Sequence, residues 1–207
     1  MRGTDLVELW SRYRRHPLVD LVVTLASAVV IAFVVQLWVV KPYRIPSESM
    51  VPTLKVTDRI IVARFIYHLR KPERGEILVF HPNGRGDDVF RAPTASSQNY
   101  VKRLIGLPHE ILGASNGKVW VCSQGKAPAS LDNPGATAGC RYLNEPYTHD
   151  QQTDTFGPVT LGPDEYFMMG DNRGSSEDSR FWGQIHERQI IGRAFMTYWP
   201  LSRISFF

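Results

Sequence analysis

The chain has 207 residues, with 24 lysines and arginines against 20 aspartates and glutamates, for a formal charge of +4. At 43% hydrophobic and 21% charged residues it is too apolar for a disordered chain, and long enough for one sizeable core or a core with a small subdomain. No basic run is interleaved with aromatics, which speaks against nucleic acid as a partner. The densest basic cluster, Arg12, Arg14 and Arg15, flanks an apolar stretch instead.

That stretch, Leu21 to Val40, is apolar except for Thr24, Ser27 and Gln36 and carries no charge. Twenty helical residues rise about 30 Å, the hydrocarbon thickness of a bilayer. Pro17 and Asp20 mark its start, Lys41 and Pro42 its end. A core helix of this length would show a polar face, and a cleaved signal peptide would need a small-x-small site, which Trp38-Val39-Val40-Lys41 lacks. Residues 17–41 are therefore read as a transmembrane signal-anchor held in the lipid bilayer. Residues 1–16 form a cytoplasmic segment, because the basic flank lies on that side, and everything after residue 41 lies on the extracytoplasmic side. Cys122 and Cys140 would then sit in an oxidising compartment. Two readings stay open for them, a disulfide or two free buried thiols, and their spacing matches no zinc signature. No metal and no cofactor is expected.

Beyond the anchor the sequence reads as short strands separated by Gly, Pro and Asn. Arg59–Arg64, Glu76–Phe80, Tyr100–Gly106, Lys118–Cys122, Tyr166–Met169 and Gln189–Trp199 are rich in β-branched and aromatic residues. Gly192 in the last run suggests a bulge or a close backbone approach. The expected fold is mainly β with antiparallel pairing and no further long helix. Its framework comprises 42–112 and 163–207. Asn83–Asn99 reads as a polar loop or ribbon, and 113–162, which holds both cysteines, as a small inserted subdomain.

A hydrolase needs a nucleophile, a base and donors for the developing oxyanion. The six histidines are scattered, with no H-E-x-x-H and no G-x-S-x-G. Three segments stand out instead. In the first, Ile45 to Leu54, Ser47 and Ser49 are bracketed by Pro46 and Pro52, a stiff turn able to present one hydroxyl and its backbone N–H. The second, Tyr100 to Pro108, places Lys102 among apolar residues. An edge lysine on a solvated face is one reading. Turned inward, desolvation would lower its pKa and yield a neutral amine able to take a serine proton. The third, Gly170 to Arg180, is a dense run of donors and acceptors between Phe167-Met168-Met169 and Phe181-Trp182, where Asp178 and Arg180 are candidates for a salt bridge.

In this order, after an N-terminal anchor, the three segments resemble the bacterial type I signal peptidases, the Ser/Lys leader peptidases. P-S-x-S-M-x-P-T-L stands as Pro46 to Leu54, and Tyr-x-Lys-Arg-x-x-Gly-x-Pro as Tyr100 to Pro108. G-D-N-R-x-x-S-x-D-S-R stands as Gly170 to Arg180, and a G-D-x-I-x-V block occurs in altered form as Thr57 to Val62. The resemblance implies a signal-peptidase β domain cutting signal-peptide-bearing preproteins after small residues at −3 and −1. It makes Ser49 the nucleophile and Lys102 the general base, with an oxyanion hole of the Ser49 N–H and the Ser47 hydroxyl. Ser176 would orient Lys102, Asp178 and Arg180 would brace its loop, and Tyr100 and Met168 would help exclude water. Ile45, Met50, Leu54 and Val101 would line shallow pockets for small side chains. Thr57, where the family has glycine, and His109, where glycine is frequent, bear on local turn geometry.

Competing readings are weaker in the residues. A self-cleaving Ser/Lys repressor would carry a DNA-binding helix pair, a plastid processing peptidase a Ser-rich transit segment, and the reticulum enzymes histidine in place of Lys102. A non-catalytic membrane-tethered β domain that binds exported proteins would have no use for Ser49, Lys102 and Ser176 together.

Overall fold

The computed structural model describes residues 17–38, 40–82, 99–130, 133–148 and 154–207, with side chains of 33–39 outside the described set. The Arg12, Arg14 and Arg15 cluster and nearly all of the expected loop at 83–99 also lie outside it. The chain divides into two units, Met1–Lys41 and Pro42–Phe207.

The first unit holds helix α1 (Pro17–Trp38). Among the described residues no helix is long and apolar enough to cross a membrane; α1 runs 22 residues, but its side chains are described only to Ala32. Leu18, Leu21, Val22, Val23, Leu25, Val29, Val30 and Ile31 are all exposed, so apolar groups emerge along the helix at every rotation. Its two hydroxyls turn inward: Thr24 Oγ1 donates to the Asp20 carbonyl at 2.7 Å and Ser27 Oγ to the Thr24 carbonyl at 2.9 Å.

The second unit is mainly β, and the strand pairs whose register is described are antiparallel. One sheet runs β1 (Val40–Arg44), β2 (Arg59–Ala63), β11 (Ile190–Trp199), β3 (Ile77–Phe80), β4 (Tyr100–Gly106), β9 (Glu165–Met169) and β10 (Ile185–His186), with β12 (Ser205–Phe206) pairing β11. A second sheet orders as β7 (Cys140–Tyr142), β6 (Lys118–Cys122), β5 (Ile111–Ser115) and β8 (Phe156–Thr160). The helices of this unit are single turns, α2 (Ile66–Leu69) and α3 (Ser179–Trp182).

Alternation on the strands builds three main apolar clusters. Ile45, Met50, Leu54, Ile60, Val62, Ile77, Val79 and Ala194 form the first, beneath the serine-bearing turn. Leu78, Phe80, Leu104, Tyr166, Met168 and Ile185 form another. The remaining one joins Ile105, Phe167 and Met169 of the large sheet to Leu112, Val119 and Val121 of the small one, so 113–162 has no wholly separate core. Cys122 and Cys140, register partners on β6 and β7, are joined by a disulfide. On β11 the pairing with β3 slips between Ile190 and Gly192, where a Cβ would run into the Ala63 carbonyl. Gly192 is thus both bulge and close approach.

Candidate active site

Three pieces of backbone converge. The turn at 47–51 follows β1, Lys102 sits on β4, and the loop 170–178 joins β9 to α3. Gly170 is the point of closest packing: a Cβ there would collide with the Ser176 hydroxyl and the Ser49 carbonyl. The loop is tied to the turn by the Asn172 N–H, which donates to the Ser49 carbonyl at 3.1 Å, and by Asn172 Nδ2, which donates to the Glu48 carbonyl at 3.2 Å.

Strand alternation puts Lys102 on the same face of β4 as Tyr100 and Leu104, which belong with Met168, Leu78 and Phe80. Lys102 points inward and is only 3% exposed. Its Nζ donates to Ser176 Oγ at 2.9 Å, and that hydroxyl donates in turn to Asp178 Oδ2 at 2.7 Å. Burial pulls the ammonium down from the ordinary lysine range to about 8; Arg180 pushes the same way, while Asp178, Glu177 and Asp171 resist. Asp178 is fully buried and already committed. It also accepts from the Gly170 N–H and from Arg180 Nε and Nη2, at 2.9, 2.9 and 3.0 Å. Arg180 further reaches Asp154 at 2.7 Å and the Arg173 carbonyl at 2.6 Å.

Ser49 is 7% exposed and Ser47 exposed, their hydroxyls 3.3 Å apart. Among the described residues the Ser49 N–H takes part in none of the turn's hydrogen bonds. Tyr100 lies against Phe80 and Trp182, with ring centroids 6.2 and 6.5 Å apart, and Met168 is fully buried with its N–H on Ser179 Oγ. Ile45, Met50 and Leu54 are core side chains at 2% exposure or less, and Val101 alone of that set keeps accessible surface.

Sequence reasoning passed over several residues of this site. Arg103 clamps Asp171 through Nε to Oδ1 at 2.8 Å and Nη2 to Oδ2 at 2.6 Å; Thr53 Oγ1 donates to the same carboxylate, and Tyr147 lies 4.0 Å under the guanidinium. Arg173 pairs with Glu145. The partners come from distant segments, so no local spacing announces them. Arg103 alone carries a signal, as a charge inside the run Tyr100–Gly106.

Chemically, the site offers a buried amine with its pKa lowered to about 8, a hydroxyl that accepts from it, and a serine turn whose N–H is unengaged among the described residues. Groups of these kinds are what a Ser/Lys acyl transfer would draw on. A family model, that of signal peptidase, peptidase S26, matches residues 18–199. Signal peptidase I of Leptolyngbya laminosa is 35% identical over 91% of this chain and 83% of its own. Signal peptidase IB of Staphylococcus aureus strain MRSA252 is 34% identical over 93% and 95%, and a probable signal peptidase I-2 of Synechocystis 36% over 88% and 73%. The chain belongs to the signal peptidase family, peptidase S26.

Proposed function

We propose that the chain is a membrane-anchored endopeptidase that frees exported preproteins from their signal peptides by Ser49–Lys102 chemistry, cutting after small residues at −3 and −1. Membership in the family makes it a serine protease, a hydrolase of the signal-peptidase class. The observation that carries the residue assignment is Lys102: a buried amine lowered to about 8, hydrogen-bonded to a neutral hydroxyl and not to a carboxylate.

In the proposed cycle the neutral Lys102 amine takes the Ser49 proton as Oγ attacks the scissile carbonyl. Ser176 holds the amine through one N–H, which leaves the lone pair free for the Ser49 proton in this cycle. The oxyanion forms at the Ser49 N–H and the Ser47 hydroxyl, an oxyanion donor being worth roughly 2.7–4 kcal/mol. Lys102 returns its proton to the departing amine, then activates the water that releases the acyl group. The shallow pockets for the small −3 and −1 side chains have Ile45, Met50 and Leu54 as their packed floor and Val101 at their accessible edge. Purified protein should cleave a preprotein bearing alanine at −3 and −1, and Ser49→Ala should abolish cleavage. Full activity of Ser49→Ala would remove the assignment.

The anchor is α1, inserted in a bacterial plasma membrane with its N-terminus cytoplasmic and residues after 41 outside. Its support is the exposed apolar surface all round and the self-satisfied Thr24 and Ser27 hydroxyls. In the second unit Trp199, Leu201, Ile204 and Phe206 form an exposed apolar edge suited to an interface, whereas Phe207 packs on the core. Alkaline extraction should leave the protein in the membrane pellet, with protease added outside digesting the part after residue 41; release by alkali would contradict the anchor.

A further inference from the structure

Peptide geometry links the two carbonyls bound by Asn172 to the oxyanion site. The Glu48 carbonyl and the Ser49 N–H belong to one trans peptide plane, in which C=O and N–H point in opposite directions. Whatever fixes the Glu48 oxygen therefore aims the Ser49 hydrogen. That oxygen accepts from the Val51 N–H at 3.0 Å within the turn, and from Asn172 Nδ2 at 3.2 Å across from the facing loop. The next carbonyl, that of Ser49, accepts from the Asn172 backbone N–H at 3.1 Å. One residue thus holds the carbonyls on both sides of the Ser49 backbone. Asn172 Oδ1 is buried and has no partner among the described residues, so the amide's hydrogen bonding is through Nδ2.

We infer that Asn172 is a positioning residue for the oxyanion hole: its side-chain amide sets the plane of the Glu48–Ser49 peptide and so the direction of the Ser49 N–H. The inference rests on the proposal that this N–H receives the oxyanion. Asn172 touches no substrate atom in this account. It acts on the transition state alone, because only there does the substrate oxygen carry the charge that a well-aimed donor stabilises.

Two variants isolate the side chain, since both keep the backbone N–H to Ser49: Asn172→Ala removes the donor without adding charge, and Asn172→Asp keeps the shape and replaces the donor by an acceptor. With a peptide substrate, kcat should fall about tenfold or more in both, less than the roughly 10²–10³ of a direct donor such as Ser47, while KM stays nearly constant. A peptide aldehyde ending in alanine, whose adduct with serine carries an oxygen in the oxyanion position, should lose affinity in step with kcat. The acid limb of kcat in Asn172→Ala should keep its wild-type position, which a general loosening of the lysine pocket would shift. Ser49→Ala run alongside separates the two levels. If it is inactive while both Asn172 variants keep wild-type kcat and aldehyde affinity, the positioning role is wrong and the nucleophile stands. If Ser49→Ala is active, the underlying site assignment falls instead.

Discussion

Lys102 and Arg103 are neighbours on β4, each 9% exposed or less, yet their surroundings treat positive charge in opposite ways. Around Arg103 the guanidinium meets a carboxylate squarely, with Asp171 taking two hydrogen bonds, the Gly75 carbonyl a third and Tyr147 lying beneath. Around Lys102 the carboxylate is held one group away. Ser176 stands between Nζ and Asp178, which pairs directly with Arg180. The first arrangement pairs a cation directly with a carboxylate; the second leaves one without that contact, and burial lowers its pKa to about 8. Direct pairing builds the scaffold, and a hydroxyl spacer builds a base.

Replacement of each cation by methionine should separate these roles. Lys102→Met should lower cleavage by at least about 10³-fold, the upper range for a general base, and yet stabilise the fold. In the wild type the folded pKa lies near 8 and the ordinary value is 10.5. Below pH 8 both states carry the proton and the fold bears the full cost of a buried charge, which fades as pH rises toward 10.5. The gain in Lys102→Met should thus be on the order of 3 kcal/mol at pH 7 and shrink in alkali, as read by denaturant midpoints. Arg103→Met should do the reverse, costing about 3–5 kcal/mol by stranding the fully buried Asp171, with Arg103→Met/Asp171→Leu recovering most of it. Equal stability losses in the two single variants would erase the contrast.

The small sheet sharpens the comparison from outside the site. Cys122→Ser opens an 18-residue loop and should cost roughly 3 kcal/mol by chain entropy, while cleavage persists, because the bridge touches no site residue. A smaller effect is expected at Thr57, which holds φ +77°, in the left-handed region that favours glycine. Its N–H still donates to the Ile45 carbonyl at 2.9 Å, so the turn is kept at the expense of strain. Thr57→Gly should raise stability by about 1 kcal/mol, visible as a higher melting temperature. His109, at φ +67°, has accepted a similar conformation.

Strands rich in β-branched and aromatic residues were legible from residues alone: Tyr100–Gly106 and Lys118–Cys122 form over the expected spans. Those hidden by Gly or Pro were not. Pro42 reads as a terminator but lies in β1, an edge strand that tolerates a missing N–H. Gly113 in β5 is required by the Trp120 ring pressed on it, and Gly157-Pro158 interrupts the pattern of β8. At the site, local motifs pointed to Ser49, Lys102 and Ser176, because each lies in a compact block. The Arg103–Asp171 clamp and the Asn172 ties join segments more than sixty residues apart, and one-dimensional spacing carries no trace of such pairs.

Whether Lys102 works as a neutral amine is read from the dependence of kcat/KM on pH, since that ratio reports the free enzyme. With a peptide substrate cleaved by the wild type, activity should fall as the solution is acidified through an apparent pKa of about 8, with the ammonium form unable to accept the Ser49 proton. Activity that stays level down to pH 6, or that rises only near the ordinary lysine value of 10.5, would contradict the account.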